Sequence, residues 1–150
     1  MGKTVRTLGE FESEAARFAT TLAQAEQGAT LITLSGELGA GKTAFTKTVA
    51  RTLGVAEVVT SPTFVLEKIY TFPSELGSRT SKFTRLVHID AYRLESGSDL
   101  IPLAFDELMR DADVLIMLEW PERVADALPK PVIKVSIVTN ADGSRTIAYE

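Results

Sequence analysis

Lys42 and Thr43 close the segment Gly36-Glu37-Leu38-Gly39-Ala40-Gly41-Lys42-Thr43, which reads G-x-x-x-x-G-K-[ST]. The chemistry this spacing allows is the holding of a polyphosphate. Gly36, Gly39 and Gly41 let the backbone turn tightly and point successive N–H groups inward, around Ala40, as an anion nest. A helix opening near Lys42 adds its partial positive end, which reaches Ala44. In such a nest Lys42 reaches the β- and γ-phosphates and the Thr43 hydroxyl binds Mg²⁺. The competing reading is a glycine-rich turn with Lys42 merely solvated; the elements on either side decide against it.

Further candidates follow along the chain. Asp90 ends an apolar run, Phe83 to Ile89, where ligands of open α/β sheets bind, and reads as a second acid for Mg²⁺ or as an Asp capping a turn. His88, the only histidine, shares the Asp90 face if the strand continues, and either orients Asp90 or is a satisfied core residue. Glu119-Trp120 follows a second apolar run. It reads equally as a water or metal contact beside a base-stacking ring, or as a strand-end acid with a core tryptophan. Ser61 and Thr63 flank Pro62, as a γ-phosphate or water sensor or as a simple Ser-Pro turn. Tyr92 and Arg93 read as packing and ion-pair groups or as phosphate-facing ones.

These residues need elements to position them. Thr30 to Ser35 is a short β-rich run after Gly28, and Phe45, Val49 and Leu53 recur at helical spacing until Gly54. Strand, glycine loop and helix thus stand in order. Ahead of them an edge strand is expected around Thr4 to Leu8. An amphipathic helix is expected from Glu10 to Gln27, with Phe11, Ala15, Phe18, Leu22 and Ala25 on one face, Glu10, Glu12 and Glu14 in its first turn and Gly28 at its end. Thr63 to Thr71 reads as a strand and residues 73–82 as a solvated loop. Ser98-Asp99 caps a helix to Met109 that tolerates Pro102 only in its first turn. Val114 to Leu118 suits a central parallel strand, Glu122 to Leu128 a short helix, and Val132 to Tyr149 a hairpin turning at 140–143.

The whole chain sets bounds on partners. Its 150 residues predict a single domain over 1–150, and 45% hydrophobic with 24% charged residues is ordinary globular composition. A net charge of −4 argues against a dominant nucleic-acid surface. The absence of cysteine excludes disulfides and thiolate metal sites. Apolar runs are too short to cross a bilayer and Met1-Gly2-Lys3 opens no signal peptide, so a soluble cytoplasmic protein is expected.

Four segments in this order are specific: the loop 36–43, Ser61-Pro62-Thr63-Phe64, His88-Ile89-Asp90-Ala91-Tyr92-Arg93 and Glu119-Trp120-Pro121-Glu122. From about residue 10 to about 139 the chain resembles the TsaE (YjeE) family, the P-loop ATPase of tRNA threonylcarbamoyladenosine biosynthesis. The resemblance implies an α/β P-loop NTPase three-layer sandwich, with a mostly parallel sheet, helices on both faces and a C-terminal β-hairpin. It implies ATP and Mg²⁺ as ligands, Asp90 as the Walker-B-like acid, Glu119 near metal and γ-phosphate, and Trp120 lying on adenine. Ser61 and Thr63 match a switch-like loop, and Glu12 falls where the family approaches the nucleotide. The implied partners are TsaD and TsaB, which transfer a threonylcarbamoyl group to adenosine 37 of ANN-decoding tRNAs. In that scheme tRNA is met only through the complex. Weak ATP hydrolysis supports turnover without performing the transfer. Ala44 departs from a threonine usual after the Lys-Thr pair, and the 73–82 linker is longer and more polar than the family pattern.

Two other classes compete. A small-molecule P-loop kinase would use Asp90 and Arg93 at an acceptor hydroxyl, but beyond Asp90 only Arg93, Arg110 and Arg123 precede the hairpin, too few for an arginine-rich lid. A nucleotide-binding module without useful hydrolysis is the other. A GTPase is disfavoured because no Asn-Lys-x-Asp motif is present.

Overall fold

The computed structural model describes residues 2–23, 28–62, 65–72, 83–130 and 132–150. Seven strands form one sheet in the order β1-β7-β6-β2-β5-β4-β3. They are β1 (Gly2–Val5), β2 (Thr30–Ser35), β3 (Glu67–Thr71), β4 (Arg85–Asp90), β5 (Val114–Glu119), β6 (Ile133–Thr139) and β7 (Arg145–Tyr149). The inner four, β6, β2, β5 and β4, run parallel; β7 pairs antiparallel with β6 and β1 with β7 on one side, and β3 pairs antiparallel with β4 on the other. β2, β4 and β5 are buried along nearly their whole length, which is why they are written as continuous apolar runs rather than as alternation.

One face is covered by α1 (Leu8–Thr20) and α2 (Lys42–Leu53), whose Phe11, Phe18, Phe45 and Val49 meet Leu34, Leu115 and Met117 of the sheet. The other face carries a 3₁₀ helix (Gly97–Leu103), the short α3 (Phe105–Leu108) and two 3₁₀ turns over 121–127, packed on Val87, Ile89, Ile116 and Leu118. Among the described residues no helix is long and apolar enough to cross a membrane.

Several element boundaries differ from expectation, each for a local reason. The first strand ends at Val5, and α1 starts at Leu8 because Thr7 is extended and its hydroxyl accepts from the Glu10 amide. That helix stops at Thr20, not Gln27, with Leu22 still packed on the core; Ala25 lies outside the described residues. Glu14 is no first-turn complement: it is buried, and takes hydrogen bonds from Arg17 and the Tyr149 hydroxyl. The helix expected from Ser98 to Met109 breaks in two at Ala104, which sits at φ 57°, and Pro102 lies in the tighter first piece. Ser96, not Ser98, is its cap, and Asp99 Oδ2 accepts from the Glu95 and Ser96 amides. The hairpin keeps its expected faces, Val135 and Ile137 inward and Val138 outward, but it extends the central sheet through β6 beside β2. The loop 73–82 and Thr63-Phe64 lie outside the described residues; Pro62 begins a turn whose carbonyl accepts from Val65 and Leu66 before β3.

Candidate phosphate-binding site

The loop between β2 and α2 is shaped by what it touches. A Cβ on Gly36 would stand 2.6 Å from the Ile137 carbonyl oxygen of β6, so only glycine lets the chain leave β2 there. Gly41, at φ +118°, ends the loop and caps α2; a Cβ there would press on the Phe11 ring of α1 at 3.0 Å. The loop thus rests on the first helix. Arg145 of β7 braces it from outside, donating from Nη2 to the Gly39 carbonyl at 3.2 Å. No side chain caps α2, which leaves its first-turn amides to an external acceptor.

Lys42 is buried, and its ammonium donates to the Gly36 and Glu37 carbonyls, the second at 2.9 Å. Burial pulls its pKa below the usual lysine value, while Glu119, Asp90 and Glu122 oppose that shift. Asp90 and Glu119 are register partners at the ends of β4 and β5, and both are buried. Glu119 Oε2 accepts from the Thr43 hydroxyl at 3.0 Å, and Asp90 Oδ1 from the Tyr92 amide at 3.0 Å. A cavity of about 300 Å³ opens between these groups, lined by Gly41, Thr43, Ala44, Ser61 and Trp120 among others. A larger hollow of about 470 Å³ beside the 3₁₀ helix and α3 is lined by none of the candidate site residues.

The donor set fits a hard divalent cation. Two buried carboxylates face one ammonium, which leaves negative charge to be offset. Among the described residues no three His, Cys, Asp or Glu side chains form a metal cluster. Two carboxylates and one hydroxyl are few ligands, which suits Mg²⁺ because that ion keeps waters and phosphate oxygens in its shell.

The other candidates stand as follows. Glu12 is not among the residues lining the cleft; its carboxylate lies 3.5 Å from Arg51, in the last turn of α2. This ion pair links α1 to α2. His88 does not turn to Asp90; its Nε2 stands 2.6 Å from Glu119 Oε2. Trp120, which the resemblance sets on adenine, lines the cleft and holds its ring 4.3 Å from the Lys42 ammonium and 4.9 Å from the Tyr92 ring. Its backbone takes φ 61°, which swings the ring back over the loop. The contacts of Phe11 and Arg145 with the loop have no sequence signal, because both come from elements far away in the chain.

A mixed α/β sheet with a glycine loop under its first parallel strand, and two acids at neighbouring strand ends, defines a protein of the P-loop type. The family model described as "Threonylcarbamoyl adenosine biosynthesis protein TsaE" matches residues 10–147. The chain belongs to the TsaE family. It is 35% identical to tRNA threonylcarbamoyladenosine biosynthesis protein TsaE of Treponema pallidum over 143 residues, covering 95% of this chain and 98% of that one. It is 40% identical to the Streptomyces coelicolor protein of the same name over 117 residues, covering 77% and 73%. Its fold is similar to the crystal structure of Bacillus subtilis YdiB, with TM-score 0.74 and 26% identity over 99% of this chain and 83% of that chain.

Proposed function

We propose that this chain is an Mg²⁺-ATP-binding P-loop ATPase that supports a TsaD–TsaB complex in forming N6-threonylcarbamoyladenosine at position 37 of tRNAs reading ANN codons. The architecture is then the three-layer P-loop NTPase sandwich, and the place of work is the cytoplasm, where tRNA is modified. The observation that carries the reading is the meeting of Lys42, Thr43, Asp90 and Glu119 around one glycine loop, since these four come from three separate elements.

Each residue has a task set by its chemistry. The loop amides from Gly36 to Ala44 cradle phosphate oxygens, and Lys42 exchanges its carbonyl partners for the β- and γ-phosphates. Thr43 and Asp90 hold Mg²⁺ through oxygen, with Glu119 at the same metal or on the water beside it. When bound, Mg²⁺ offsets charge on the β- and γ-phosphoryl oxygens. Ser61 lines the cleft and Thr63 follows two residues later, as the switch-like segment that reads the γ-phosphate. Ala44 has no hydroxyl for the α-phosphate, so only its backbone serves there.

Equilibrium binding of MgATP to wild type and Lys42→Ala tests the site. Binding by wild type and at least a tenfold loss in the variant are expected; equal affinities would remove it. Capture by TsaD and TsaB that depends on MgATP tests the partner half of the reading, and capture indifferent to nucleotide would count against it.

A further inference from the structure

His88 is fully buried on β4; among the described residues its ring makes one hydrogen bond, between Nε2 and Glu119 Oε2, and Nδ1 has no partner. A buried polar atom left unmatched carries a cost that an apolar side chain of similar size would avoid. The ring is therefore a poor choice for packing alone, and what it gains is the bond to Glu119. That bond is defined by the sheet. His88 precedes Asp90 by two residues and so faces the same side, and Asp90 pairs in register with Glu119. The Thr43 hydroxyl reaches the same Oε2 from the start of α2. One carboxylate oxygen is thus held from two sides by groups on two other elements, and neither bond uses Oε1.

We infer that His88 is a positioning residue: its Nε2–H fixes the Glu119 carboxylate against Thr43, and so sets where that acid stands relative to the cleft. The inference rests on the ATPase reading for its catalytic consequence, but not for the hydrogen bond itself. A carboxylate only accepts, so the bond requires the proton on Nε2. In a neutral ring Nδ1 is then a bare lone pair, which is cheaper to bury than an unpaired N–H. Partners of this kind, which aim a group near a metal without touching the substrate, typically change metal affinity or activity by about 10–100-fold when removed.

Two measurements decide it. Because His88 is the only histidine, the imidazole ¹⁵N spectrum of the nucleotide-free protein has a single ring to assign. The Nε2–H tautomer is expected, with its signals displaced in Glu119→Gln; an Nδ1–H tautomer would overturn the inference. The second measurement compares His88→Gln, whose side-chain amide can still donate, with His88→Leu, which cannot. For His88→Leu, kcat is expected to fall about 10–100-fold with a raised Mg²⁺ requirement, while ATP affinity stays within a few-fold of wild type. His88→Gln is expected to recover most of the rate. Wild-type rate and Mg²⁺ dependence in a folded His88→Leu would also overturn it. A wild-type chain that neither binds nor hydrolyses ATP would instead remove the ATPase reading, and the tautomer would still decide whether His88 holds Glu119.

Discussion

The Lys42 ammonium sits between three kinds of partner: two loop carbonyls, the face of Trp120, and the acids Asp90 and Glu119. Phosphate oxygens entering the loop compete for the same charge, and moving the ammonium changes what lies over the indole. Trp120 is the only tryptophan, so its fluorescence reports that exchange. ATP, ADP and pyrophosphate are expected to change it, and adenosine to leave it unchanged; a response to adenosine equal to that of ATP would instead seat the ring on the base, as the resemblance implies. Glu119→Gln should cut hydrolysis at least tenfold with little change in ATP affinity, measured by phosphate release against equilibrium binding. Lys42, Thr43, Asp90 and Glu119 were legible because residue type and position at a strand or helix end carry their meaning. The pairing of Glu12 with Arg51 was not legible, because it depends on which side of α1 meets α2, and spacing along the chain does not encode that.

Elements meet through a few side chains, and Glu14 is the most consequential of them outside the cleft. It accepts from Arg17 at 3.0 and 2.6 Å and from the Tyr149 hydroxyl at 2.6 Å, while Tyr149 stacks on Phe18 at 5.0 Å. This joins α1 to β7. The Arg17 hydrogen bonds hold the Glu14 carboxyl below its ordinary value of 4.5, against burial, with Tyr149 helping. A carboxyl whose pKa is lower folded than unfolded adds stability above the unfolded value, and loses it as pH falls through the folded one. Glu14→Gln should therefore cost about 1–2 kcal/mol at pH 7, with the deficit shrinking below about pH 4.5 as wild type also protonates. Denaturant titrations at pH 7 and pH 4 check this, and a deficit independent of pH would refute it. β2, β4 and β5 were legible from apolar runs, and α2 from its spacing and Gly54. The end of α1 and the break at Ala104 were not. Both depend on backbone choices, at Thr21 and at a left-handed alanine, that residue type does not favour strongly.

At the scale of the molecule, strand order does what local sequence cannot. Asp90 and Glu119 lie 29 positions apart and become neighbours only because β4 and β5 pair in parallel with their ends level. The hairpin closes the other side, where β6 supplies the Ile137 carbonyl under Gly36 and β7 supplies Arg145 over Gly39. Neither pairing is written in any one segment. Charge, by contrast, is a property of the whole chain and readable at once: 20 acidic against 16 basic side chains, net −4. Binding a polynucleotide displaces counterions in proportion to the phosphates that Lys and Arg neutralise, and affinity then falls steeply with salt. A chain with this balance, whose cleft already spends Lys42 on the loop, should not retain tRNA by itself at about 0.15 M salt in filter binding. With TsaD, TsaB and MgATP present it should co-migrate with the tRNA-bearing complex. Tight binding of tRNA to the isolated chain, with log K falling several-fold faster than log salt rises, would show a nucleic-acid surface that this charge balance argues against and would move tRNA from an indirect to a direct partner.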